Sequence, residues 1–480
     1  MTAERLESPA EHEDSGRNRL MNDRALQSLL DDAAAELGVV GAQLAIYDGS
    51  RLREFATGWR HRELDLPVTL ATLFQIGSTT KLLNAALIMS LVDEGVLDLD
   101  TPVIAYLPEL RLASLDAQTS VTLRHLLSMS AGLDNGPYHD YGRGDDALGR
   151  SVTSLAGMPH IFKPGTAFGY SNAGINVAGH TASCVARRSW ESLLAERILQ
   201  PLGLGQSAMF AEDLLGHPVA LGYVLRSTGE PAQRMVGWSL PRSIAPAGGT
   251  LCCSAGDLVR FACMFLHGGQ SETGGRVLSE AAIGIMHTPQ IKLPTELMAQ
   301  HWCLGPYRKQ WGGHMIYGHS GTNLGGSSML LWCPQKRIAI ATTVNVSNQG
   351  YPLAERIFDR VFPELFNIDK PKAPNVTELA ESFVPDQRVF TGRYEALGAV
   401  MRIEVRDGSL FGLFESDILR TLGLVYGLES ELIFLGNGRF VPRNPEFSGN
   451  RCWDVAFWDE TGSGRPTHFL NGMFAMRRTG

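Results

Sequence analysis

Phe74–Val92, FQIGSTTKLLNAALIMSLV, carries one charge, Lys81, and then eleven residues from Leu82 to Val92 without another. An uncharged run of that length reads as a helix buried on all sides. A lysine in its first turn costs roughly several kcal/mol unless it loses its proton or finds an opposite charge. Ser78 stands three residues earlier, so a helix beginning near Ser78 puts hydroxyl and amine on one face. The hydroxyl then sits at the positive end of the helix dipole, where a developing oxyanion is favoured. A lysine with a lowered pKa is what a serine needs as proton acceptor. The chain has seven lysines against thirty-five arginines, and Lys81 alone has a serine three residues before it.

Before this helix, Arg24–Gly38 has apolar positions at helical spacing. VGAQLAIYDGSRLREFATGWRH, residues 40–61, reads as two strands about an Asp48-Gly49-Ser50 turn. After it, Val121–Leu133 is predicted as a helix ending near Gly132, and residues 134–160 as a long loop. SWESLLAERILQPLGL and SAGDLVRFACMFLHGG are further amphipathic helices. From Tyr317 the pattern turns strand-like, and YPLAERIFDRVFPELF closes this part as a helix. Strands at both ends and helices between them predict an α/β (α+β) layout, one sheet built from both ends with a helical insert. The expected boundaries are a disordered tail at 1–23, a catalytic domain at 24–366, a linker at 367–383 and an all-β domain at 384–480. The last shows short alternating strands separated by Gly-containing turns, a small barrel or sandwich.

A length of 480 residues exceeds one compact core. The net charge of −8 is spread along the chain, which argues against nucleic acid or an anionic membrane as partner. Seven scattered cysteines form neither a ligand spacing nor a disulfide framework and suit a reducing compartment. No basic stretch followed by an apolar one opens the sequence, and no apolar run approaches the roughly 20 residues that span a bilayer. A cytoplasmic location is the expectation.

Two further groups complete a candidate site. FGYSNAG, residues 168–174, holds the only Tyr-x-Asn among eleven tyrosines. Tyr170 could relay protons, and Asn172 could bond a substrate amide or Lys81. His319-Ser320-Gly321 opens a strand whose backbone N–H could complete an oxyanion hole, with Gly321 leaving room for substrate. A second His-x-Gly at His267 follows a helix and is the poorer candidate.

In that order, Ser78-x-x-Lys81, Tyr170-x-Asn172 and His319-x-Gly321 resemble the serine β-lactamase and penicillin-binding-protein superfamily, above all its class C β-lactamase-like branch of esterases, peptidases and transacylases. The resemblance covers about residues 24–365, and the segments VTLRHLLSMSAGL, PAGGTLCCSAGDLVRF and GHSGTNLGG share it. It implies an antiparallel sheet flanked by helices and, for the C-terminal part, a lipocalin-like barrel. It implies Ser78 as acylated nucleophile, Lys81 and Tyr170 as proton carriers and Asn172 as substrate ligand. It also implies an oxyanion hole from the Ser78 and Thr322 amides, and neither metal nor cofactor. His319 stands where β-lactamases usually carry lysine, which disfavours substrates with a free carboxylate and favours esters, amides or thioesters.

The expected function is acyl transfer through an acyl-enzyme, to water in an esterase or amidase. A transacylase or peptide-cyclising thioesterase of secondary metabolism, a D-amino-acid peptidase or β-lactamase, and a non-catalytic acylation sensor are the alternatives. Expected partners are a small-molecule or peptide substrate, with a carrier-protein-bound thioester or a homo-oligomer left open. The closing RPTHFLNGMFAMRR could lean on the active-site rim.

Overall fold

The computed structural model describes residues 21–226, 229–272, 274–372, 386–417, 428–444, 447 and 453–480. Residues 1–20 of the expected tail and 373–383 of the expected linker lie outside them.

The N-terminal strands are β1 (Gly41–Tyr47), β2 (Leu52–His61) and β3 (Leu66–Pro67). The later ones are β4 (Ile291–Lys292), β5 (His301–Trp302), β6 (Tyr307–Trp311), β7 (His314–Thr322), β8 (Ser327–Cys333) and β9 (Ile338–Val344). All nine join in one sheet in the order β3-β2-β1-β9-β8-β7-β6-β5-β4. The junction of β1 with β9 is antiparallel and runs from Ala42↔Val344 to Tyr47↔Ala339. It sews the two ends of the catalytic part together. Every residue of β1, β8 and β9 is buried, so both faces of the sheet are covered.

Helix α1 (Asp23–Glu36) begins at an Asn22 cap whose side chain accepts from the Ala25 N–H. Helix α2 (Thr80–Asp93) holds Lys81 and the uncharged run after it, and it is buried from Thr80 through Leu91. Its lack of an exposed stripe follows from its uniformly apolar sequence.

Two expectations are corrected. The helix predicted over Val121–Leu133 is only α3 (Leu123–Leu127), started by a capping box between Thr122 and His125. Met129 then takes a left-handed φ of 58°, which ends the helix and turns the chain inward toward Asp134. The stretch 134–160 is not all loop, since it contains α4 (Ala147–Thr153). Beyond it run α5 (Asn172–Ala186), α6 (Ala255–Leu266), which packs on β1 and β9, and α7 (Gly350–Glu364).

The C-terminal strands run from Gly392–Ala396 to Phe474–Arg478 and form a closed eight-stranded barrel. Closure is made by Tyr394 pairing with Arg478, which removes the sheet edge. Phe390, Tyr394, Phe440, Phe457 and Phe469 fill its interior. Trp453, Ala456, Leu470 and Ala475 on its outside belong instead to the main core, so barrel and catalytic part share apolar surface. Among the described residues no helix is long and apolar enough to cross a membrane.

Candidate active site

Ser78 lies in a single 3-10 turn, Gly77–Thr79, that runs straight into α2. Gly77 makes the entry with φ 53°, and a Cβ there would stand 2.6 Å from the Thr322 backbone N. Gly321 is as tightly placed: a Cβ on it would meet the Ile76 carbonyl oxygen at 1.8 Å. The end of β7 is thereby pressed against the serine turn. Hydroxyls fix the turn from below. Thr79 Oγ1 lies 2.8 Å from Ser328 Oγ on β8, and Ser328 Oγ donates to the Ile76 carbonyl at 2.7 Å.

Lys81 is fully buried. Its Nζ is 3.0 Å from Ser78 Oγ, and it donates to the carbonyl of Ala247. Burial alone pushes the amine well below the ordinary lysine value. A neutral amine suits both contacts, since one N–H serves Ala247 and the lone pair is left for the serine proton.

Tyr170, 4% exposed, sits just before α5, and Lys81 Nζ lies 4.9 Å from the centre of its ring. Its ring is boxed by Trp302 at 5.9 Å, His319 at 6.2 Å and Phe474 of the barrel at 5.9 Å. Ser171 caps α5 by accepting from the Gly174 N–H, so Asn172 is the first helical residue. Asn172 Nδ2 donates to the Tyr138 hydroxyl at 2.6 Å, while its buried Oδ1 has no protein partner. Tyr138, rather than Lys81, is therefore the group that holds the amide.

His319 is 1% exposed. Burial first, and second the Lys81 amine when it is protonated, push its imidazole down to about 3. Nδ1 lies 2.6 Å from the Ser320 carbonyl. A carbonyl can only accept, so Nδ1 carries a proton, and the lowered pKa leaves Nε2 without one near pH 7. The residue at this position thus provides no fixed positive charge near pH 7.

The structure brings Ser78, Lys81, Tyr170, His319, Gly321 and Thr322 together: Lys81 touches Ser78 and faces the Tyr170 ring, His319 packs on Tyr170, and Gly321 and Thr322 press on the serine turn, while Asn172 follows Tyr170 by two residues at the start of α5. Sequence reasoning missed several neighbours. Asn323 Nδ2 donates to the Gly248 and Gly249 carbonyls at 3.1 and 3.2 Å, pinning the segment that presents the Ala247 carbonyl. Backbone partners such as Ala247 leave no signal in residue type. Tyr138, Trp302 and Asn135, whose Oδ1 accepts from the Asn172 N–H at 3.1 Å, carry none either, because only the fold makes them neighbours.

The Beta-lactamase family model matches residues 26–362. Penicillin-binding protein 4 of Amycolatopsis lactamdurans is 35% identical over 341 residues, 71% of this chain and 88% of that protein. Esterase EstB of Burkholderia gladioli is 31% identical over 194 residues, 37% of this chain and 49% of the esterase. The crystal structure of SurE is 28% identical with a TM-score of 0.77, covering 95% of this chain and 99% of that one. The structure of SurE with D-Leu matches over the same shares with a TM-score of 0.75. At that coverage the likeness to SurE takes in the barrel as well as the catalytic part. With its antiparallel sheet, helical layers and three ordered motifs about a single cleft, the chain belongs to the beta-lactamase family of serine hydrolases.

Proposed function

We propose that this protein is a hydrolase of the class C β-lactamase-like branch that cleaves an ester, amide or thioester through an acyl-enzyme on Ser78. The observation that carries the reading is the fully buried Lys81 amine, 3.0 Å from Ser78 Oγ. The Ser78 proton passes to Lys81 Nζ as Oγ bonds to the carbonyl carbon. The bond to the leaving group then breaks, and Lys81 with Tyr170 returns the proton to that group. The backbone N–H groups of Ser78 and Thr322 are the pair assigned to the oxyanion, and Asn172 with its open Oδ1 is assigned to a substrate N–H. Neutral His319 supports esters, amides and thioesters over substrates that need a cation for a free carboxylate. The substrate is a small molecule or peptide met in the cytoplasm.

A second reading keeps the acylation and hands the acyl group to an amine, as a transacylase or peptide-cyclising enzyme. Two observations favour it as the alternative. The barrel packs directly on Tyr170, which supports a cleft shielded from water. SurE, similar over nearly its whole length, has been crystallised with D-Leu, which supports a D-configured residue in the substrate.

Incubation with p-nitrophenyl esters of N-acetyl-D-leucine and N-acetyl-L-leucine, with and without an added amine, tests both readings. A free acid as sole product supports the hydrolase, and an amide product supports the transacylase. Absence of turnover with both esters and with simple acetate esters overturns the two together.

A further inference from the structure

Away from the cleft, α5 carries His180 and Cys184 four residues apart, hence on one face. Cys184 Sγ lies 3.4 Å from His180 Nε2. That is the edge of a tetrahedron whose centre is about 2.0 Å from the nitrogen and about 2.3 Å from the sulfur. Glu109 approaches from the loop that follows a 3-10 turn at Val103–Ala105. One ligand atom from each of the three residues lies within 4.8 Å of the other two. Of the described cysteines Cys184 alone is exposed, the other five being buried. The cysteines show no ligand spacing among themselves. The spacing that matters is His-x-x-x-Cys.

The cluster is open to solvent, with Glu109 and Cys184 exposed. A surface cleft lined by Leu148, His180, Cys184 and Arg188 among others opens beside the pair and leaves room for a solvent ligand.

We propose that Glu109, His180 and Cys184 bind one Zn2+, with water as fourth ligand. The thiol proton leaves to solvent as the Zn–S bond forms. The cation clips the C-terminal half of α5 to the Glu109 loop. His180 is eight residues beyond Asn172, about 12 Å along the helix axis, so the metal steadies the helix that carries Asn172 without entering the cleft.

The test titrates the metal-free full chain with Co2+ as a spectroscopic stand-in, followed by Zn2+. One equivalent is expected to give a near-ultraviolet thiolate-to-cobalt band that Zn2+ abolishes. Cys184→Ser, a near-isosteric change at an exposed position, is expected to lose the band, and His180→Ala to weaken binding roughly tenfold or more. Zn2+ is expected to raise Tm by mass action, while chelation leaves ester turnover unchanged. No band, or a band of full intensity in Cys184→Ser, overturns the site. Turnover that falls on chelation in wild type and Cys184→Ser alike also overturns it, because the metal would then act elsewhere.

Discussion

The backbone N–H of Tyr170 donates to the carbonyl of Met473 at 2.9 Å, across the seam between catalytic part and barrel. Phe474, the next residue, meets the Tyr170 ring edge-on. Close by, the Asp134 carboxylate accepts from the Leu397 N–H of another barrel hairpin at 2.7 Å. The barrel thus forms one wall of the phenol's pocket. Phe474→Ala is expected to lower kcat about tenfold and stability by about 2 kcal/mol. Steady-state kinetics and a urea melt check this, and a variant that loses stability but keeps kcat would reduce the barrel to a structural appendage.

Ser78→Ala removes the hydroxyl that lies 3.0 Å from Lys81 Nζ. Turnover of p-nitrophenyl acetate is expected to fall about ten-thousandfold or more, with Tm nearly unchanged because Ser78 is half-buried and carries no packing load. Substantial residual rates would remove this serine from the chemistry.

Lys81→Arg puts a permanent cation where the neutral amine acts as base, since a guanidinium does not give up its proton. It also forces a larger cation into a fully buried slot. Activity should fall at least about a thousandfold, measured as kcat/KM. Robust turnover by a folded variant would contradict the base assignment.

His287 and His319 make stability depend on pH. Trp332 Nε1 donates to His287 Nε2 at 3.1 Å, so His287 is neutral, and burial pushes it down to about 4. His319 is pushed to about 3. In the unfolded chain both take protons near 6.5. Below that pH the unfolded state binds more protons, so stability falls as pH drops from about 6.5 toward 4 and then 3, by roughly several kcal/mol in total. Tm measured from pH 7.5 to 4.5 should decline, and His287→Gln should flatten part of the slope. An unchanged slope in that variant would show that other groups set it.

Much of this was legible in the chain. The uncharged run after Lys81 announced a buried helix, and alternating strands at both ends announced the sheet that joins them. The three motifs could be ordered into a site through their resemblance to the serine β-lactamase superfamily, since Ser-x-x-Lys and Tyr-x-Asn each occur once in the chain whereas His-x-Gly occurs twice. What could not be read was whatever depends on backbone or on distant packing. Met129 turns left-handed and cuts short a helix whose apolar periodicity continues to Leu133. Asn172 finds Tyr138, thirty-four residues away. The suggestion that the closing hairpin leans on the active-site rim agrees with Met473 and Phe474 on Tyr170, yet no residue pattern specified which side chain it would touch.

The most direct measurement is the titration of Lys81 itself, by NMR of chains labelled at the lysine side-chain carbons, with Lys81→Arg to assign the signal. A midpoint far below the free-lysine value of about 10.4 is the expected result, giving a neutral amine at the pH of turnover. A Lys81 that titrates at the ordinary value would show a charged ammonium beside Ser78 and contradict the mechanism at its base.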